Sequence, residues 1–163
     1  MKHPQVIQDK IFSAKLIVFQ VNRWKLLNKT ISFTNGCFDI LHPGHISSLS
    51  DAAREADFLI VGLNSDASAH KLKGAGRPVM NQESRSLMLA SLLMVDAVVI
   101  FDEDTPLDLI EIIQPNVLVK GGDYTIEQIV GAKEVIAVGG RVVINPILEG
   151  FSTTGLIGKI NKL

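Results

Sequence analysis

A chain of 163 residues can build one sizeable core and is short for two. With 47% apolar and 20% charged residues it is not a disordered polar chain, and a net charge of −1 gives no overall field for nucleic acid or an anionic membrane. A single cysteine, Cys37, excludes an intrachain disulfide and suits a reducing compartment. No basic–apolar signal segment opens the sequence, and no apolar run approaches the length of a membrane span. The expectation is a cytoplasmic protein that engages neither nucleic acid nor membrane.

In chain order, residues 1–29 read as a helical N-terminal extension packed on the outside of a core at 30–163, the two forming a single domain. Pro4 suits a first helical turn, and Ser13 suits the cap of a second helix reaching Trp24–Leu26. A β-branched run at Thr30–Thr34 predicts the first strand. A helix follows from Pro43 to about Ala56, with Ile46, Leu49, Ala52, Ala53 and Ala56 on one stripe. Phe58–Leu63 is continuously apolar, as in strands buried on both faces.

Residues 64–82 read as a long polar loop carrying Lys71, Lys73 and Arg77. Asn81 caps a helix to about Leu93, and Ala97–Phe101 is the third strand. Thr105-Pro106-Leu107-Asp108 predicts a helix start with threonine as the cap, and Pro115 its end. Asn116–Val119 is the fourth strand and Arg141–Asn145 the fifth, with short helical pieces between. A last helix opens near Ser152. Alternation of strands and helices predicts an α/β fold, a five-stranded open parallel sheet with helices on both faces. Its polar clusters, at 34–45, 64–77, 120–124 and 149–154, each follow a strand, where ligands bind in such sheets.

The segment Thr34–His45, TNGCFDILHPGH, places His42 and His45 three residues apart at a helix N-terminus. That end offers free N–H groups and a partial positive charge, and Gly44 removes a side chain where a phosphate would approach. Imidazoles there can donate to phosphate oxygens as charge builds in a transition state. Asp39 suits either a ligand or the backbone N–H groups of its own turn. Lys120, Gly121, Gly122 and Asp123 end the fourth strand with a lysine for a phosphate, glycines for close backbone approach and an acid for sugar hydroxyls. Ser152, Thr153 and Thr154 place hydroxyls at a helix start, either as a phosphate site or, at Ser152, as a plain cap.

GCFDILHPGH resembles the GxFDxxHxGH signature of the cytidylyltransferase-like nucleotidyltransferases, and EGFSTT resembles their second signature. FTNGCFDILHPGH, VGLNSDASAHKLKGAGRPV, FDEDTPLDLI, LVKGGDY and EGFSTTGLIGKI, over about residues 30–160, are similar to the adenylyltransferase half of the bifunctional heptose-phosphate kinase/adenylyltransferases. The resemblance implies a Rossmann-like fold and transfer of AMP from ATP to D-glycero-D-manno-heptose 1-phosphate, giving ADP-heptose and pyrophosphate. It assigns His42, His45 and Lys73 to catalysis. It gives ATP the residues Thr34, Asn35, Gly36, Cys37, Phe38, Gly44, Arg85, Ser152, Thr153 and Thr154. Asp39, Lys71, Lys120, Gly121, Gly122 and Asp123 fall to the sugar phosphate.

The resemblance further implies Mg²⁺ carried on the triphosphate with no metal ligand from the protein, a homo-oligomer such as a dimer, and a place in lipopolysaccharide or other surface-glycan synthesis. One departure is Ile147, where some relatives carry an arginine two residues before the glutamate of EGxSTT. Two alternatives stand beside this reading. One is a glycerol-3-phosphate cytidylyltransferase or other small-phosphate nucleotidyltransferase, such as a flavin-nucleotide-forming enzyme. The other is a non-catalytic nucleotide-binding module.

Overall fold

The computed structural model describes residues 3–122, 124–160 and 162. Its elements run α1 (Gln5–Gln8), β1 (Ile11–Phe12), α2 (Ala14–Leu26), β2 (Ile31–Gly36), α3 (Pro43–Arg54), β3 (Phe58–Asn64), α4 (Asp66–Lys73) and α5 (Gln82–Ala90). They continue with β4 (Ala97–Phe101), α6 (Leu107–Ile113), β5 (Val117–Gly121), a 3₁₀ turn at Ile126–Gln128, α7 (Ala132–Ala137), β6 (Arg141–Asn145) and α8 (Thr153–Ile160).

The strands lie in the order β1-β4-β3-β2-β5-β6, and every pairing is parallel. The chain steps outward from β2 through β3 to β4, then returns to place β5 against the free side of β2. Strand order therefore reverses between β2 and β5, which is where an open α/β sheet leaves a crevice at its carboxyl edge. Alternating side chains feed two cores. Phe33, Ile60, Val99 and Leu118 point to the face covered by α2, α6 and α7. Val61, Leu63, Val98 and Val119 point to the face covered by α3 and α5.

The expectation of five strands is corrected to six. Ile11 and Phe12 pair with Val98 and Val99 at the sheet edge. Two residues are too few to display the period-2 alternation that announces a strand. The N-terminal segment is also more than an outer layer. Ser13 caps α2 by accepting from the Leu16 N–H, and Ile17, Val21 and Trp24 are buried in the core. Trp24 stacks on Phe58 with ring centroids 4.2 Å apart.

Two further expectations change. The segment read as a 64–82 loop contains α4, capped by Ser65, whose Oγ accepts from the Ser68 N–H at 3.1 Å. Its composition hid it, because Asp66, Ser68, His70, Lys71 and Lys73 leave almost no apolar stripe. Thr105 does not cap α6: Pro106 occupies the cap position, with no side-chain hydrogen bond to the helix start.

Candidate active site

β2 ends at Gly36, and the chain turns through residues 37–41 before α3 begins. This turn is strained. Phe38 (φ 45°) and Ile40 (φ 47°) both occupy the left-handed region, which a β-branched residue rarely enters. Contacts from three distant segments hold it there. Arg85 of α5 donates to the Cys37 carbonyl at 2.6 Å, and the Thr153 hydroxyl of α8 donates to the Asp39 carbonyl at 2.9 Å. The Asp39 carboxylate, with its side chain 1% exposed, accepts from Arg77 Nε at 2.7 Å and from the N–H groups of Val79 and Met80 at 2.9 and 3.1 Å.

His42 is the cap of α3 and Pro43 its first residue. His42 Nδ1 accepts from the His45 N–H at 3.4 Å, which leaves the proton of the neutral ring on Nε2 as a donor. The two imidazoles stack with centroids 3.7 Å apart, and Phe38 meets His45 edge-on at 5.4 Å. Gly44 makes this packing feasible. A Cβ there would lie 3.0 Å from His42 Cε1 and 3.3 Å from the Phe151 Cβ. Glycine thus admits the folded-back ring and the loop before α8, a closer constraint than room for phosphate alone.

Burial pushes the pKa of His45 down to about 4, assisted by the neighbouring His42 and opposed by Asp39. Burial lowers His42 as well. Both rings are therefore neutral at pH 7 in the free protein. His45 Nδ1 is buried and has no hydrogen-bond partner among the described residues. An anion arriving beside these rings would raise both pKa values and give the open nitrogens a partner.

These groups line a cleft of about 440 Å³ at the switch point. Cys37, Phe38, His42, Gly44 and His45 form one wall. Lys73, at the end of α4, and Arg77 form another, and Gly121 with Ser152, Thr153 and Thr154 closes the third. The Ser152 hydroxyl accepts from the Gly155 N–H at 3.0 Å, so it serves as a helix cap while its own proton stays available. Cys37 has its thiol pKa raised by burial, against the lowering influence of Lys73, Arg85 and Arg77. That favours the neutral thiol and fits a wall residue.

Several expected ligand contacts lie elsewhere. Arg85 is 1% exposed and donates to the carbonyls of Met80, Cys37 and Asn64 and to the Asp66 carboxylate, so it ties α5 to the strand ends and does not reach the cleft. Lys71 is turned out to solvent and pairs with Asp104 at 3.0 Å. On a helix, residues two apart point to different sides, so α4 separates Lys71 from Lys73. Asp39 is saturated by the 77–80 segment and is a scaffold group. Thr34 is 5% exposed within β2, and neither it nor Gly36 lines the cleft. Gly122 (φ 126°) turns the chain and donates its N–H to the Asn145 carbonyl. Asp123 lies outside the described residues.

Alternation along β5 splits the expected lysine–glycine cluster. Gly121 faces α3, where a Cβ would meet Ser48 Oγ at 3.1 Å. Lys120 points to the opposite face, into a second pocket of about 220 Å³ lined also by Asn35, Asn64, Thr105, Tyr124 and Gln128. There Lys120 Nζ donates to Asn35 Oδ1 at 3.2 Å and lies 6.0 Å from the centre of the Tyr124 ring. Asn35 therefore belongs to this second pocket. Ser48 is a cleft residue that the sequence reading missed. Its signal was available: it follows His45 by three, on the same face of the helix.

The strand–turn–helix carrying HxGH and the serine–threonine helix start both lie within residues 33–159, the stretch that a family model described as cytidylyltransferase-like matches. The chain belongs to the cytidylyltransferase-like family. Among curated relatives it is 53% identical over 157 residues to the "Bifunctional protein HldE" of Mesorhizobium japonicum, covering 96% of this chain and 32% of that one. The protein of that name from Caulobacter sp. (strain K31) is 50% identical over 160 residues, 98% of this chain and 33% of the relative. The chain thus spans about a third of the length of these relatives.

Two solved structures share the fold. The lipopolysaccharide core biosynthesis protein from Thermoplasma volcanium superposes with a TM-score of 0.60 at 24% identity, covering 74% of this chain and 97% of that one. Pantoate-beta-alanine ligase from Francisella tularensis gives 0.61 at 17% identity, covering 94% and 78%. Among the described residues, no helix is long and apolar enough to cross a membrane.

Proposed function

We propose that this chain transfers AMP from ATP to D-glycero-D-manno-heptose 1-phosphate, releasing pyrophosphate and forming ADP-heptose. The observation that carries this reading is a pair of pockets lined by neighbouring residues at the ends of β2 and β5, where strand order reverses. The larger holds the stacked histidines, Lys73 and the Ser152–Thr154 helix start, and suits a triphosphate. The smaller presents Lys120 with amides and hydroxyls from Asn35, Asn64, Thr105 and Gln128, and suits a polyhydroxylated sugar with an anionic end. Relatives named bifunctional that match at 50–58% identity over about a third of their own length fit a chain that carries one of two activities.

In this reading a phosphate oxygen of the sugar attacks the α-phosphorus of ATP in line. The P–O bond to the β-phosphate breaks, and the electron pair leaves with pyrophosphate. The nucleophile is already an anion at neutral pH, so the protein need not abstract a proton. Its work is positioning and stabilising charge on the transferring group. His42 Nε2–H and His45 donate to the phosphate oxygens, and Lys73 adds a mobile positive charge from the end of α4. Enzymes of this kind use a divalent metal with the nucleotide phosphates. Among the described residues, no group of three or more His, Cys, Asp or Glu could hold such an ion. The cleft carboxylate, Asp39, is already saturated by hydrogen bonds. These residues do not form a metal site of their own, and Mg²⁺ would travel on the triphosphate.

We propose further that residues 30–163 are one nucleotidyltransferase domain with 1–29 as its N-terminal extension, that the chain acts in the cytoplasm, and that it assembles as a homo-oligomer. The catalytic reading is tested by offering the purified protein Mg²⁺ and heptose 1-phosphate with either ATP or CTP and following pyrophosphate. ATP-dependent release is expected. A preference for CTP would move the reading to a cytidylyltransferase, and no release with any sugar phosphate would leave a binding module.

A further inference from the structure

We infer that Arg77 binds the phosphates of the nucleotide in the main cleft, and that Asp39 is the residue that positions it. This rests on the reading of that cleft as a triphosphate site. Arg77 lines the cleft beside Lys73, and its side chain is 14% exposed, so it is held and yet reachable. Nε donates to Asp39 Oδ2 at 2.7 Å. Neither terminal nitrogen of the guanidinium has a partner among the described residues. A carboxylate on the Nε side fixes the plane of the group and leaves its far edge, two parallel N–H donors, for a phosphate.

The anchor is itself rigid. Asp39 is buried, the Val79 N–H shares Oδ2 with Arg77, and the Met80 N–H holds Oδ1, which together fix the carboxylate's orientation. The same carboxylate thereby holds the segment that carries Arg77 and the strained turn that carries Phe38 and leads to His42. Arginine chemistry at this cleft has no other source among the described residues: Arg85 is enclosed and saturated, and position 147 is isoleucine. A triphosphate carries several negative charges. With both histidines neutral in the free protein, Lys73 would be the one lysine or arginine facing it in the cleft among the described residues if Arg77 were only a loop staple.

Calorimetric titration of the full chain with inorganic pyrophosphate and with MgATP tests this, alongside thermal melting of each variant. Arg77→Ala is expected to weaken both ligands by about 10-fold or more. Arg77→Lys should regain the melting temperature, because an ammonium still pairs with Asp39, yet recover only part of the affinity. Asp39→Asn should lower the melting temperature and weaken pyrophosphate less than Arg77→Ala does, since the arginine is loosened but present. Pyrophosphate affinity within twofold of wild type in Arg77→Ala would overturn the assignment. So would an Arg77→Lys variant that regains stability and full affinity together. Failure of the wild-type chain to bind either ligand would overturn the nucleotide reading and this assignment with it.

Discussion

Two polar regions lie at the strand ends, one enclosed and one facing the cleft, and they differ in how fully their groups are partnered. Around Arg85 and Asp39 nearly every donor and acceptor has a protein partner. Arg85 makes four hydrogen bonds, and the Asp39 carboxylate accepts three. Around His42, His45 and Lys73 the groups are left open, with His45 Nδ1 buried and unpartnered and the Ser152 proton unassigned. A buried polar group without a partner costs free energy, so its persistence needs a reason, and a ligand supplies one. Saturated groups hold the shape, and open ones face the substrate. Motif position alone does not separate them, since Asp39 and His42 stand three residues apart in one signature.

Substitutions on each side should break this contrast in different ways. The largest effect on turnover belongs to the open side: His45→Ala should lower kcat by about 10²–10³-fold while the melting curve stays near wild type. Turnover within a few-fold of wild type would remove His45 from the chemistry. On the saturated side, Arg85→Met should act on folding. It strands three carbonyls and the Asp66 carboxylate, at a cost of about 3–5 kcal/mol. For a domain of this size that lowers Tm by roughly 10 °C. A variant with normal stability and poor ATP binding would instead return Arg85 to the site.

Smaller effects sharpen the division between the two pockets. Lys120→Ala should raise KM for the sugar phosphate about 10-fold, as loss of one charge-assisted hydrogen bond, and leave KM for ATP nearly unchanged. The reverse pattern would exchange the roles of the pockets. A pH effect follows from His45. Its folded pKa of about 4 lies below the ordinary histidine value, so between pH 6.5 and 4 the unfolded chain binds more protons. Stability should be highest above pH 6.5 and fall through that window. The slope should shrink in His45→Gln and also with ATP bound, and urea midpoints across the range would show it. A slope unchanged in His45→Gln would place its origin elsewhere. Least of all, Lys71→Ala should alter turnover by under twofold, because its ion pair with Asp104 is exposed.

Much of this was legible in the residues. The strands at Phe58, Ala97 and Arg141 begin where their composition says, because continuous apolar or β-branched runs have few other uses. The HxGH helix start and the Ser-Thr-Thr start could be placed at one sheet edge from alternation alone. Other features were hidden for identifiable reasons. β1 owes its existence to a neighbour, β4, and carries no periodicity of its own. α4 forms from a polar sequence because Ser65 caps it and tertiary contacts bury Ala69 and Ser68.

The roles of Arg85, Lys71, Thr34 and Asn35 depended on which way each side chain points. That was fixed for Lys71 by a helix where a loop was expected, for Arg85 by the packing of α5 against the strand ends, and for Thr34 and Asn35 by strand register. The partition between saturated and open groups is a property of three-dimensional contacts. Ser48 became visible only in those contacts, whereas Arg77 was legible as a loop cation able to bind phosphate or hold the loop, and the contacts added its pairing with Asp39.

In the proposed reaction two pockets feed one phosphorus. Phosphorus-31 NMR of the protein with MgATP and heptose 1-phosphate reads it directly. Loss of the ATP and sugar-phosphate signals is expected, with growth of inorganic pyrophosphate and of a coupled pair from an asymmetric diphosphate diester in equal amounts. Unchanged ATP and sugar phosphate under these conditions, or conversion of ATP to free phosphate without the diester, would contradict it.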